Sequence, residues 1–375
     1  MNYEPKINPH IMDTISSKPS VKQPVQKQDT RPLVSIITPA YNEAEILQKN
    51  LDILYDYMTN LDDQYRWELV VINDASTDET GQLLNQFAEE HPKVKPFHHR
   101  VNRNLSGALQ TGFAIAEGDY IIVLDVDLTY SEDHIQALLT TIIEKDADVV
   151  IASPYMKGGK NTAVPYKRLL MSKVVNRMMS IMSPERVYTF TGMVRAYKKE
   201  FLKSLNLKSR GFSINPEVIF KAQILRSRIV EIPAHLDWSD QKHISRTSSM
   251  KVMHNIMHSL MSAFIFRPYF FFMSIGVILF LISTYIIVWI FMNTFAAMPD
   301  IAPEIVGLER RFSAAVGMVF MERPSSFVIG GISLIIALQF VIVGFLSLQS
   351  KRYFDELFHL NTNMLRTIQD LKRKN

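Results

Sequence analysis

The chain has 375 residues, 47% of them hydrophobic and 21% charged, enough for a good-sized domain and something more, which excludes a peptide or a wholly disordered tail. Its 41 Lys+Arg against 37 Asp+Glu leave a net charge of only +4 without a basic block, which argues against a dedicated nucleic-acid binder. With no cysteine, a disulfide framework, a thiolate zinc site and a cysteine nucleophile are excluded, so any metal must sit on oxygen or imidazole.

Residues 1–31 are polar, rich in Pro, Lys, Gln and Ser, and lack apolar periodicity; they read as a disordered cytoplasmic tail, and no secretory signal opens the chain. From Leu33 onward short apolar runs alternate with amphipathic stretches. Val34–Thr38, Trp67–Ile72, Tyr120–Leu124 and Asp148–Ala152 predict buried strands, and Ala44–Tyr57, Thr80–Glu90, Leu105–Ala116 and Ser131–Lys145 predict helices. That alternation predicts an α/β domain over 32–245, a mainly parallel sheet with helices on both faces.

Ligands of such sheets sit beyond the carboxyl ends of the strands. The polar motifs fall there: Thr38-Pro-Ala-Tyr-Asn-Glu43, Asn73-Asp-Ala-Ser-Thr-Asp78 and Asp125-Val-Asp127. Two carboxylates one residue apart at a strand end can both turn toward a divalent cation, and Mg²⁺ typically takes one or two carboxylates plus diphosphate oxygens. The bland readings are helix caps: an acidic loop before Ser131, and a capping box in Ser76-Thr-Asp-Glu79. His98, His99 and His243 have no partner at metal-ligand spacing and read as surface or packing residues.

Beyond the domain, Met250, Met253, Ile256, Met257, Leu260, Met261 and Phe264 recur at helical spacing and predict an interfacial amphipathic helix over 246–267. Pro268–Met292 holds 25 residues without a charge, and Phe327–Leu348 holds 22. At a rise of about 1.5 Å per residue each reaches roughly 33–37 Å, enough to cross a hydrocarbon core of about 30 Å. Four Lys/Arg lie in 240–267 and six in 349–375, whereas the connecting loop 293–326 carries three, offset by acids. The spans therefore read as a transmembrane hairpin with both chain ends and the tail 349–375 cytoplasmic and the loop extracytoplasmic.

The ordered set Val34-Ser-Ile-Ile-Thr-Pro-Ala-Tyr-Asn-Glu43, Val71-Ile-Asn-Asp-Ala-Ser-Thr-Asp78, Asn104-Leu-Ser-Gly-Ala-Leu-Gln-Thr-Gly112, Gly118-Asp-Tyr-Ile-Ile-Val-Leu-Asp-Val-Asp-Leu128, Ser153-Pro-Tyr-Met-Lys-Gly-Gly159, Thr191-Gly-Met-Val-Arg-Ala-Tyr197 and Glu231-Ile-Pro233 resembles the family 2 glycosyltransferases of GT-A fold. Within them it is similar to the dolichyl- and undecaprenyl-phosphate sugar transferases, over nearly all of 33–352. The resemblance implies an inverting, metal-dependent transferase in a bacterial plasma membrane, possible as a homo-oligomer. Its donor would be a nucleotide-diphospho-sugar and its acceptor a polyprenyl phosphate.

Position by position, the resemblance implies that Pro39, Tyr41 and Glu43 hold the nucleotide, with Asn73 and Asp74 reading its base. Asp125 and Asp127 would hold diphosphate and Mg²⁺ or Mn²⁺, with Arg195, Arg246 and Lys251 facing the phosphates. Arg168, Ser172 and Asn176 match a looser pattern with no assigned role. The chain departs from the family at Thr129, where Gln is frequent, at Pro154, where Arg is frequent, and at Asn73, where Asp is usual. Two alternatives stand beside this reading: transfer to a hydroxyl of a glycolipid or surface glycan, with Glu217 a candidate base, and a catalytically silent nucleotide-binding membrane protein.

Overall fold

The computed structural model describes residues 29–209, 213–239, 261 and 264–374. Residues 1–28 of the expected tail over 1–31, most of the expected interfacial helix over 246–267 with Arg246 and Lys251, and His243 before it lie outside the described residues.

Strand β1 (Leu33–Ala40) leads to helix α1 (Ala44–Thr59), β2 (Arg66–Asn73), α2 (Thr80–Glu90), β3 (Val94–His98), α3 (Asn104–Ile115), β4 (Tyr120–Val123), α4 (Asp133–Glu144) and β5 (Val149–Ser153). There follow β6 (Lys160–Thr162), α5 (Tyr166–Met182), β7 (Arg195–Lys198), α6 (Lys199–Ser204), α7 (Ile214–Ile224), β8 (Ile229–Pro233) and β9 (His235–Asp237). Seven strands form one sheet in the order β3-β2-β1-β4-β7-β5-β8, parallel except for β7, which runs antiparallel to β4 and β5. The mainly parallel sheet expected from the sequence is therefore mixed at one position. Side-chain alternation feeds two cores: Val34, Ile36, Leu69 and Val71 pack toward α1, α2 and α4, while Ile37, Val70 and Ile72 pack toward α3, α5, α6 and α7.

The start of α2 differs from the capping-box expectation. Ser76 Oγ accepts from the Asn42 N–H at 3.0 Å, and Asp78 is the residue that accepts from the Thr80 N–H (3.1 Å). The other Asp78 oxygen accepts from the Ala44 N–H at 3.2 Å, so a single carboxylate ties the first turns of α1 and α2 together. Two helix N-termini each offer unpaired N–H groups, and one side chain between them satisfies both.

C-terminal to the domain, α8 (Pro268–Ala297) and α10 (Pro324–Lys374) are long and apolar enough to cross a membrane. They pack antiparallel through small residues: a Cβ on Gly276 would lie 2.9 Å from Val341 Cγ2 and 3.2 Å from the Ala337 carbonyl, and Ser283 Oγ donates to the Gly330 carbonyl at 2.9 Å. The connection expected to be loop carries a helix, α9 (Leu308–Glu322), whose Phe312 meets Phe291 and Phe295 of α8 at 6.2 and 5.8 Å. Helix α10 runs through the expected tail without a break, and its Phe358 ring lies 5.7 Å from Lys221 Nζ of α7.

Candidate active site

Loops at the carboxyl ends of β1, β2 and β4 meet on one rim. After β1, Pro39 and Glu43 are half-buried and Tyr41 is 48% exposed, an aromatic ring at the mouth. Asn42, at φ 56°, accepts from the Thr77 N–H at 2.8 Å, which locks this loop to the one after β2. Asn73 and Asp74 lie below that pair and are buried. Asn73 Oδ1 accepts from the Ser76 N–H and its Nδ2 meets His98 Nδ1, both at 3.0 Å. Asp74 Oδ1 accepts from the Arg103 N–H at 2.8 Å and meets His99 Nδ1 at 2.6 Å, while His99 Nε2 reaches Thr111. The two histidines read as packing residues thus fix the residues expected to read a base.

Asp125 and Asp127 follow β4 on a tight loop, with Leu128 at φ 48°. Three hydrogen bonds hold it: Asn50 of α1 donates to the Val126 carbonyl at 2.8 Å, Asp127 accepts from the Thr129 N–H at 3.1 Å, and the Asp237 N–H of β9 donates to the Thr129 carbonyl at 2.9 Å. Thr129 therefore contributes its backbone to the loop where a longer amide side chain is frequent in the family. Burial pushes the Asp125 carboxyl well above the usual carboxylate range, and the neighbouring Asp127 charge pushes the same way against the pull of Arg168. A cavity of about 310 Å³ opens beside Asp127, lined among others by Lys49, Asn50, Glu132 and His235.

Arg168 is the residue that sequence reasoning left without a role. It extends from the first turn of α5, within electrostatic reach of Asp127 and Asp125, and its guanidinium stacks on the Trp238 ring at 4.1 Å. Desolvation lowers its pKa, and the carboxylates oppose that shift. One turn further, Ser172 Oγ meets Tyr155 Oη at 2.7 Å. One turn beyond that, buried Asn176 accepts from the Phe190 and Thr191 N–H groups at 2.7 and 3.2 Å. The i, i+4, i+8 spacing of 168, 172 and 176 was the available signal, since it lines one helical face.

Arg195 is placed differently from its expected role. It is fully buried beneath the rim on β7, opposite Val123, and donates to the Asn215 and Phe190 carbonyls at 2.9 and 2.7 Å. Glu231 of the Glu-Ile-Pro motif accepts from the Tyr188 and Thr189 N–H groups at 2.8 and 2.9 Å, bracing the same segment. In this arrangement Arg195 holds backbone, and the solvent-facing cation is Arg168. Glu217 is likewise engaged: it pairs with Lys221 at 2.7 Å and accepts from the Ser209 N–H at 2.9 Å.

A sequence-family model described as Glycosyl transferase family 2 matches residues 35–205. An undecaprenyl-phosphate mannosyltransferase of Micrococcus luteus is 31% identical over 206 residues, 53% of this chain and 82% of that one. The chain belongs to glycosyl transferase family 2. A dolichol-phosphate mannosyltransferase of Pyrococcus furiosus is 32% identical over 203 residues, 53% of this chain; the match spans only 55% of that relative's length. Among solved structures, a mannosyltransferase from Pyrobaculum calidifontis in complex with GDP-Man and Mn²⁺ aligns over 91% of this chain and 88% of its own, at 17% identity and a TM-score of 0.46. The mixed seven-stranded sheet, with its Asp-x-Asp loop after β4, is the GT-A domain of this glycosyltransferase family.

Proposed function

We propose that the protein is a membrane-anchored inverting glycosyltransferase that moves a sugar from a nucleotide-diphospho-sugar to a polyprenyl phosphate at the cytoplasmic face of a membrane, in a bacterium the plasma membrane. The observation that carries this reading is the placement of Arg168, Ser172 and Tyr155 beside the Asp125/Asp127 loop, in a domain that bears two apolar helices. A polyprenyl phosphate and a nucleotide diphosphate are both anions, so the site must supply cations on two sides.

The donor set fits a hard divalent cation. Asp125 and Asp127 offer oxygen only, and among the described residues no group of three His, Cys, Asp or Glu could hold a metal. Two carboxylates completed by diphosphate and water match Mg²⁺ or Mn²⁺. When bound there, such an ion supplies charge neutralisation of the leaving diphosphate.

The chain's own residues do the rest. Pro39, Tyr41, Glu43, Asn73 and Asp74 shape the nucleotide end, with Tyr41 free to stack on a base. Arg168 offers a planar cation to a phosphate oxygen, and Ser172 and Tyr155 offer hydroxyls beside it. Arg195 positions the loops that carry them, and Arg246 and Lys251 add charge toward the acceptor. A phosphate monoester carries about −1.5 to −2 charges near neutral pH, so its oxygen attacks the sugar C1 without a protein base. Attack opposite the diphosphate inverts the anomeric centre. The hydroxyl-acceptor alternative requires a free general base, and Glu217 is tied to Lys221 and two backbone N–H groups.

The test is transfer by detergent-purified full-length protein from a panel of labelled UDP- and GDP-sugars to polyprenyl phosphate with Mg²⁺ or Mn²⁺. Label entering the organic phase, and absent with Asp127→Ala, is the expected result. Metal-dependent donor hydrolysis without lipid label would favour a hydroxyl acceptor, and no donor turnover would favour the silent binding protein.

A further inference from the structure

Helix α10 is seated on one side and bare on the other. Within the span, buried Ala337 and Gly344 face α8, Gly344 pressed against Met273. Past the span the same side carries the Lys351–Asp355 pair, Phe358 beside Lys221 of α7, and buried Thr362. Written as heptads with Leu357, Met364 and Leu371 at a, these residues are all b or f, and the side opposite them is a and d. From Ile332 to Leu371 the a and d positions alternate steps of four and three residues without a break, and every one is exposed. That spacing is the seam of a coiled coil.

Two observations on this row call for a partner. In the span it holds Ile332, Ile336, Val343 and Leu346, which lipid can cover, and Gln339, which it cannot. Gln339 hydrogen-bonds to nothing among the described residues, and an amide in hydrocarbon needs a partner. In the tail the row holds Tyr353, Leu357, Leu360, Met364 and Leu371, each 58–63% exposed. At about 1.5 Å per residue it extends roughly 30 Å past Ser350, beside the catalytic domain and away from lipid. The charges of 350–371, on Lys351, Arg352, Asp355, Glu356, Arg366 and Asp370, all fall outside a and d in the sequence. We propose that α10 is the seam of a parallel homodimer, in which the a and d row of one chain packs on that of a second copy and Gln339 pairs with its own counterpart. Ile336 and Val343 at a with Leu346 and Leu360 at d follow the pattern of two-stranded coils. Two chains anchored in one bilayer present α10 in the same direction and at the same depth, so like positions meet in register, and a two-fold axis needs only a self-complementary row. A helix of another protein would need its own uncharged row and a polar group at the depth of Gln339. The catalytic domains, seated on the b and f side, flank the pair. The shared depth rests on the membrane reading of α8 and α10, and the experiment separates the two.

The chain has no cysteine, so single cysteines introduced into the full-length protein can be oxidised to disulfides in native membranes. Gln339→Cys, Leu357→Cys and Met364→Cys should give about fivefold or more of a band at twice the chain mass than Leu338→Cys and Arg352→Cys, which are exposed but off the row. Equal crosslinking on and off the row, or none at 357 and 364, would overturn the seam. A crosslinked band of another mass would mean that another protein fills it, and would overturn the second copy as occupant. Tyr285→Cys, exposed in the middle of α8, tests the span: its thiol should resist a membrane-impermeant maleimide that labels Arg352→Cys in inverted vesicles. Labelling at 285 would overturn the membrane reading and with it the shared depth, while protection at 285 with no crosslink on the row would overturn the seam alone. In mild detergent the wild type should have the mass of two chains, Gln339→Leu should weaken the dimer about threefold or more, and Leu357→Glu with Met364→Glu should leave a monomer. The double variant should melt near wild type, since neither residue faces the domain; if it does not, Gln339→Leu decides. A dimer unmoved by both changes would overturn the proposal.

Discussion

Arg168 shows how much one side chain carries at the residue scale. Its guanidinium is planar, lies over Trp238 and faces two carboxylates, a setting in which lysine is no substitute. Arg168→Ala should lower kcat/KM by about 10²–10³-fold, as loss of a charged stabilising donor does, and Arg168→Lys should recover only a small part of it. Trp238→Ala should cost less, about tenfold, and add little in the Arg168→Ala background, because the ring acts through the guanidinium. Steady-state kinetics on the four proteins decide it; full additivity would separate the two residues. Buried Glu217 gives a second prediction. Burial pushes its pKa up, but hydrogen bonds from Lys221 and Ser209 and the Lys221 charge outweigh that and hold it below the usual glutamate range. Its contribution to stability is therefore complete above that range and is lost as pH falls through the depressed folded value. Glu217→Gln leaves Lys221 without its counter-charge and should cost about 3 kcal/mol at neutral pH. Thermal melts of wild type and variant should converge only as the pH falls below that depressed folded value, where the native carboxyl is protonated too.

The sequence was most informative about elements and least about what they meet. Periodicity placed α2 at Thr80–Glu90 and put β1, β2, β4, β5, α1, α3 and α4 within about two residues of their observed ends, because each repeats apolar residues at a clear period of 2 or 3.6. Strands β6 and β9 were invisible: three residues each, polar, and paired only with one another. The reversal of β7 was also hidden, since burial on both faces reads alike in either direction. The site residues at the strand ends were legible as motifs, whereas the meeting of Arg168, Tyr155 and Trp238 joins three segments that no local pattern links. Arg195 shows the converse, a motif residue that the fold turns inward. Asn176 ties such segments together: its carbonyl oxygen accepts two backbone N–H groups from 190 and 191, and its amide donates to Thr191 and to the Ser172 carbonyl. Asn176→Ala would leave two N–H groups in a buried place without partners, at about 1–3 kcal/mol each. The variant should melt several degrees lower and show protease sensitivity between α5 and β7 before global unfolding, whereas Asn176→Asp, which keeps the acceptor, should be milder.

For the whole molecule, the proposed reaction joins a water-soluble donor to an acceptor held in lipid, so under that proposal donor chemistry and lipid transfer depend on different parts of one chain. The α8–α10 hairpin is closed by backbone approach at Gly276, where a Cβ would meet the Val341 amide nitrogen at 3.1 Å and the Ala337 carbonyl oxygen at 3.2 Å. Neither atom can move without moving its helix, so a large side chain at 276 has to wedge the pair apart. Such overpacking typically costs about 1–3 kcal/mol. The wedge acts a few residues beyond Phe270 and Phe271, which seat α8 on the core behind α5, so it tilts the catalytic domain relative to the hairpin. The Asp125/Asp127 loop is held by hydrogen bonds from Asn50, Thr129 and Asp237, all within the α/β domain, and should survive intact. Gly276→Leu is therefore expected to keep metal-dependent donor hydrolysis within about twofold of wild type while transfer to membrane-embedded polyprenyl phosphate falls about tenfold or more. Parallel assays of released nucleotide and of lipid-linked label read the two quantities separately. If both fell together, the hairpin would be part of the catalytic fold; if neither fell, the helices would tether the domain without setting its height.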